Sequence, residues 1–264
     1  MTATFFKHEL RRTAKPLGLM FGITLVLALS VAALGAFVHE IVFFILLIFV
    51  LGGYSLLFQV YLAVDFYRST YGQGAILTHT LPVSGRRIYW TRLLWKIIET
   101  AVAGLVGVLI LVITLFLGGV LSNFNMQEFA AFWGEVVTHA PPLVWFVVAV
   151  SIFSVISTPV TMMFVVVVGS GAWARRLGAA GPVITYIIYY VVAQVIGFAA
   201  LALPPSLDVN TMTVVSEAML PGAFFDSEPA DNLIPLGIYI PLVIATVIMA
   251  FVSAHLMQKR LEIR

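Results

Sequence analysis

Residues 41–64 read IVFFILLIFVLGGYSLLFQVYLAV, a run without one charged side chain. A bilayer core about 30 Å thick is crossed by about 20 mostly apolar residues in a helix. The run is too long for a barrel strand and shows no alternation of apolar and polar positions, so it predicts a transmembrane helix. On its N-terminal side only His39 and Glu40 separate it from a second apolar run, Pro16 to Val38. On its C-terminal side a longer, basic segment, 65–96, precedes a third run, Ile97 to Leu121.

The same reading gives three further spans: Leu143 to Val168, Pro182 to Leu203 and Leu233 to Met257. Composition agrees. Of 264 residues, 61% are hydrophobic and 10% charged, and mean hydropathy is +1.07. Soluble domains carry about 25% charged residues. The fold class expected is all-α, a polytopic membrane protein in which residues 1–264 form one transmembrane domain. The chain has no Cys, which excludes disulfides, zinc–thiolate sites and a cysteine nucleophile.

The charges orient the spans. With the N-terminus cytoplasmic, the inner segments are 1–15, 65–96, 169–181 and 258–264. All 14 Lys and Arg fall in them. Such a partition is the positive-inside pattern, and one span more or fewer would destroy it. Eight of the 12 acidic residues fall outside, from Glu40 to Asp231. All five Trp lie near predicted span ends, where aromatic belts form. A multi-pass plasma-membrane protein with both termini inside is expected. The first apolar run is longer than the h-region of a signal peptide and is read as a retained span. Residues 3–14, ATFFKHELRRTA, set Phe5, Phe6 and Leu10 against Lys7, Arg11 and Arg12. That pattern predicts a short interfacial amphipathic helix over 1–15, with a frayed basic tail as the simpler alternative.

Within 65–96, Gly72 and Gly74 break the preceding element, Gln73 to Thr80 has room for two helical turns, and Pro82 stops them. Ser84 is placed to N-cap the helix that becomes span three. Arg86 and Arg87 would then sit in a first turn, where they oppose the helix dipole, so anionic headgroups or an acidic partner must favour them. Together with Trp90 and Trp95 they are read as interfacial anchors. Lipid alone explains the arginines, but not an isolated two-turn element between glycines and a proline.

The segment DFYRSTYGQGAILTHTLPVSGRRIYWTRLLWK, Asp65 to Lys96, resembles the cytoplasmic loop between spans two and three of small bacterial ABC-2 type transporter permeases. The resemblance rests on the glycine-rich approach, the core Leu77-Thr78-His79-Thr80-Leu81-Pro82-Val83-Ser84 and the basic start of span three. Six spans, an N-terminal amphipathic helix and a long outer segment before span six extend it to the whole chain. It implies a coupling helix that docks on a separate ATPase subunit through Gln73, Gly74, Ile76, Leu77, Thr78, His79 and Leu81. It implies a bacterial cell-membrane location and a second permease chain, identical or related. It further implies that ATP and Mg are bound by the partner ATPase, this chain binding no cofactor of its own. In that family the path lies at the subunit interface, which singles out Ser55, Gln59 and Gln194.

Other functions lack their residues. No G-x-x-x-x-G-K-[ST], H-E-x-x-H or G-x-S-x-G occurs, so the chain is not expected to be an enzyme. The five His are scattered, which disfavours a metal site, and nothing points to nucleic acid. The predicted membrane interior holds almost no ionisable group, which counts against proton-coupled transport and charge-selective pores. Glu99, three residues after Lys96, is expected to pair with it or with Arg92. Ser151, Ser154, Thr158 and Thr161 share one face of span four beside Pro159. Gly18 and Gly22 form a G-x-x-x-G in span one. Helix packing accounts for these as readily as a transport path does. Residues 204–232 are acidic with a greasy middle and are read as an extracellular cap, helical in the family, that either gates the exit or covers span ends. The alternatives to an ATP-driven exporter of amphipathic or hydrophobic cargo are a secondary transporter or channel, and a membrane scaffold.

Overall fold

The computed structural model describes residues 2–35, 37–71, 84–120, 125–139, 141–171, 174–208, 211, 213–216 and 233–262. Its helices are α1 (Thr2–Leu34), α2 (Glu40–Thr70), α3 (Gly85–Leu117), α4 (Met126–His139), α5 (Pro141–Gly169), α6 (Ala180–Ala200) and α7 (Tyr239–Glu262). All but α4 are long and apolar enough to cross a membrane, giving 6 spans. The expected coupling residues Gln73 to Leu81 lie outside the described residues.

The helices overrun the spans read from the sequence, and the overrun is where the charges are. Residues 2–15 do not form a separate interfacial helix; they are the first turns of α1, which continues through Pro16. Proline removes one backbone hydrogen bond, to the carbonyl of Arg12. Burial of Thr13 and Leu17 on either side holds the helix together there. The helices α2 and α3, at 31 and 33 residues, would be about 46 and 50 Å long at 1.5 Å per residue, against about 30 Å of hydrocarbon. Helix α2 therefore runs on to Thr70 and α3 begins at Gly85, so that much of 65–96 is helix. Ser84 stands at the N-cap of α3 with extended backbone angles, and its carbonyl accepts from the N–H groups of Arg87 at 3.0 Å and Ile88 at 3.2 Å. Its hydroxyl makes no capping bond.

The other corrections fall at the opposite end. The sequence reading left 122–142 without structure, yet α4 forms there and packs on α5. Asn125 starts it by accepting from the N–H of Gln127 at 2.9 Å. Of the segment expected as a cap, 204–208, 211 and 213–216 are described, and the rest lies outside the described residues. Within it β1 (Ser206–Asp208) pairs antiparallel with both β2 (Thr213–Val215) and the following β3 (Leu233–Pro235). Leu233–Pro235 is thus a strand, not the start of span six. Pro235 cannot donate into a helix, and α7 begins at Tyr239.

Helix α5 is the hub, packing against α2, α3, α6 and α7, while α1 packs on α2 and α3. Its inward face, Val160, Met163, Val166 and Val167, meets Phe66 of α2, Tyr89 and Leu93 of α3, and Met249 and Ala254 of α7. Buried positions on α2 (Phe43, Leu47, Tyr54, Phe58, Leu62, Phe66, Thr70) recur at fours and a seven, one helical stripe. Between α5 and α6 the crossing depends on glycine: a Cβ on Gly181 would lie 2.1 Å from the carbonyl oxygen of Gly169. Gly18 and Gly22, by contrast, have no neighbour within 4 Å of a would-be Cβ, so that G-x-x-x-G packs closely against nothing among the described residues. Helix α6 is the least buried span, exposing apolar side chains from Val183 to Phe198.

Candidate functional site: a charge clasp and a hydroxyl-lined chamber

Two polar assemblies stand inside this apolar bundle. The first joins α1, α2 and α3. Arg12 of α1 donates to Glu9 at 2.5 Å and to Asp65 of α2 at 2.9 Å. Lys96 of α3 donates to the same Asp65 oxygen at 2.5 Å and to Glu99 at 2.6 Å. The second Glu99 oxygen accepts from the Trp95 indole at 2.5 Å. The Lys96 ammonium also lies 5.3 Å from the centroid of the Tyr61 ring, within cation–π range. Arg92 binds the last turn of α2, donating to the hydroxyl and the carbonyl of Ser69, each at 3.2 Å, and to the hydroxyl of Thr70. Glu9, Asp65 and Glu99 thus balance Arg12, Arg92 and Lys96.

Burial decides what this assembly can be. The side chains of Lys96 and Glu99 are 4% and 2% exposed. An isolated charge at such burial is prohibitive, whereas a paired and hydrogen-bonded one is tolerated. The cluster fixes three helices in register at one level. Asp65 lies 25 residues, about 38 Å, from the start of α2, near the edge of the hydrocarbon core. We call this end the basic end.

The second assembly is uncharged. A chamber of about 280 Å³ lies between α2, α5, α6 and α7, lined by Gln59, Ser157, Thr158, Thr161, Tyr186, Tyr189 and Thr246 among apolar neighbours. An apolar groove of about 490 Å³, open to the outside of the bundle along Leu56, Val60 and Val183, adjoins it between α2, α5 and α6 and shares Gln59, Met162 and Tyr186. Thr246 spends its hydroxyl on the Leu242 carbonyl at 2.8 Å. Among the described residues, the side chains of Gln59, Ser157, Thr158, Thr161, Tyr186 and Tyr189 make no hydrogen bond to the chain. Thr161 lies 8 residues, about 12 Å, inside the basic end of α5, so the chamber is at membrane depth.

The residues singled out from the sequence divide accordingly. Gln59 lines both spaces, together with Thr158 and Thr161 of the span-four face in the chamber. Ser55 and Gln194 are exposed on the bundle's outside, and neither lines the chamber. Ser151 and Ser154 are exposed as well. Arg86 and Arg87 are exposed, and Trp90 is partly exposed against Phe251. Trp95 is turned inward, at 8% exposed: it is a donor to Glu99 rather than a belt residue, because the paired carboxylate needs a second partner. The Lys96–Glu99 pair expected from spacing is present. Sequence reading missed Asp65, Arg12 and Glu9, whose partners lie on other helices, and Ser157, Tyr186 and Tyr189 as a lining set. The overrunning helix ends carry six ionisable groups into their own contacts at the basic end.

No family model, curated protein or solved structure matches the chain. What the fold defines is the class: a multi-pass, α-helical membrane protein with six spans.

Proposed function

We propose that the chain is the membrane subunit of an ATP-driven exporter of the ABC-2 type, working with a separate cytoplasmic ATPase and a second permease chain. The observation that carries the reading is the segment 72–83, GQGAILTHTLPV, set between the basic ends of α2 and α3. Those ends are tied together by Arg92, and through Asp65 to α1, so a push on the segment is delivered to three spans at once. The chain itself hydrolyses nothing; ATP and Mg belong to the ATPase. The 14 Lys and Arg all fall in the segments read as inner, which supports a basic end in the cytoplasm and the β-sheet outside; the bacterial cell membrane is what the family resemblance implies. The chamber beside Gln59 is where cargo meets the permease.

Affinity purification in mild detergent tests the class. An ATPase with a phosphate-binding loop is expected to co-elute. Burying one Leu side chain contributes about 1.5–3 kcal/mol, so Leu77→Glu is expected to lower ATPase recovery at least about tenfold while leaving insertion unchanged. Normal recovery of a transport-competent complex with Leu77→Glu would sink the coupling-helix assignment. Orientation is tested separately: Ser84→Cys in this Cys-free chain should be silent to an impermeant external thiol reagent, and Ser227→Cys should react.

One observation favours a second reading. The buried carboxylates Asp65 and Glu99 are the kind of group that proton-coupled secondary transporters use. Transport driven by a proton gradient without ATPase would establish it.

A further inference from the structure

We propose that the hydroxyl-lined chamber and the adjoining apolar groove form one bipartite site for an amphipathic molecule with an uncharged, hydrogen-bonding head and a single apolar tail. The inference deepens the transport reading and rests on it only in calling the occupant cargo. The first argument is satisfaction. At membrane depth neither water nor headgroups reach a polar group from the lipid side, and an unsatisfied one costs several kcal/mol. Gln59, Ser157, Thr158, Thr161, Tyr186 and Tyr189 bring an amide and five hydroxyls to one space with no partner among the described residues. Serine and threonine in membrane helices ordinarily bond back to the carbonyl four residues earlier, as Thr114, Thr185, Thr246 and Ser253 do here. Ser157, Thr158 and Thr161 do not, so their partners come from what fills the space.

The second argument is charge. Among the described residues, no Asp, Glu, Lys or Arg lines the chamber. A charged head would be desolvated there without a counter-ion, so the head is neutral. The amide supplies donors and an acceptor, and the hydroxyls supply both, which suits a head carrying hydroxyl or amide groups of its own. The third argument is shape. At about 280 Å³ the chamber matches the low end of small-molecule sites, and it continues past Gln59 and Tyr186 into about 490 Å³ lined by Leu56, Val60, Val64, Met162, Val165 and Val183. That space takes an apolar tail. It also reaches Arg68, among the described residues the one charged group of the lining and a competing place for an anionic head.

The Cys-free chain makes the site testable without the ATPase. Ser157→Cys and Thr158→Cys are close in size to the native residues and sit in the chamber wall. In lipid nanodiscs, both thiols should react with methyl methanethiosulfonate, which needs the thiolate and hence a polar, reachable chamber. Saturating monoolein, with its glycerol head and one acyl tail, should slow the reaction about tenfold by leaving about a tenth of sites open. Oleate and hexadecane should slow it less than about twofold. Gln59→Leu should remove the monoolein effect, the rate with monoolein being compared with that variant's own rate without it. Thiols that react only after denaturation would overturn the proposal. So would protection by oleate equal to that by monoolein, which would put the head at Arg68, or an absence of monoolein protection. Any of these with the ATPase still co-purifying would leave the transport reading standing and remove only the bipartite site.

Discussion

The charge clasp and the hydroxyl chamber are both polar intrusions into an apolar bundle, and they are built on opposite rules. In the clasp, five charged groups on α1, α2 and α3 pair with one another: Arg12 reaches Glu9 and Asp65, and Lys96 reaches Asp65 and Glu99, while Arg92 bonds the last turn of α2. In the chamber, six uncharged groups on α2, α5 and α6 face one space and, among the described residues, bond to nothing in the chain. A satisfied polar network rigidifies; an unsatisfied one awaits a partner. The difference assigns the two halves of the molecule different work, a stiff frame at the basic end and a receptive space beside it. It also predicts opposite responses to the same kind of mutation, loss of one polar group.

The largest effect is expected in the clasp. Asp65→Asn removes the charge that neutralises two cations and leaves the buried cluster with a net positive charge. Breaking a buried pair from one side costs about 3–5 kcal/mol. The expected outcome is a large drop in the detergent unfolding midpoint, measured by thermal challenge followed by size exclusion. Adding Lys96→Met restores the charge balance, so the double variant should recover part of the loss, with a coupling of about 0.5–3 kcal/mol. Additive losses would mean that Asp65 and Lys96 do not share one network. A smaller loss, about 1–3 kcal/mol, is expected for Trp95→Phe, which leaves a Glu99 oxygen unbonded while keeping an aromatic ring at the site.

How far these regions could be read from sequence follows from sequence distance. The six spans were legible because each is a local apolar run, and Lys96–Glu99 was legible because i,i+3 neighbours share a helix face. Arg12 and Asp65 are 53 residues apart, and only the packing of α1 on α2 brings them together. Reading charges as marks of a loop therefore ended α2 at Val64, where the helix runs on to Thr70 because its charges are paired across helices. The chamber was half legible. Thr158 and Thr161 share a face with each other, and Gln59 stood out as an amide in a span. The tyrosines of α6 could join them only through tertiary contact, and Gln194, one turn further along, turned to the outside. The helix α4 left a local signal that was passed over: Asn125 with Glu128 three residues on is a capping pattern. The strands β1 to β3 left none, since each is three residues long.

In the chamber the same loss should be mild for stability and large for function. Gln59→Leu and Thr161→Val delete polar groups that have no partner, so the unfolding midpoint should hold or rise slightly. Transport, or cargo-stimulated hydrolysis by the ATPase, should change. A midpoint that falls as far as that of Asp65→Asn would make these groups structural and erase the contrast between the two regions.

The smallest effect belongs to the arginines at the start of α3. Arg86 and Arg87 are exposed and lie one to two turns before Arg92, outside the clasp. Neither position favours a cation, because both stand at a helix N-terminus. Removing them should therefore move the unfolding midpoint by no more than a surface substitution does, about 0.5 kcal/mol. What holds them there is the anionic surface, worth about 1 kcal/mol per charge at low salt and screened over a Debye length of about 10 Å. The informative measurement is thus not stability but salt. The stabilisation of wild type by anionic over neutral lipid should shrink in Arg86→Ala/Arg87→Ala and vanish at high ionic strength in both. An unfolding midpoint that falls for the double alanine variant in neutral lipid would place these arginines in the frame with Arg92, and the boundary of the clasp would move one turn toward the loop.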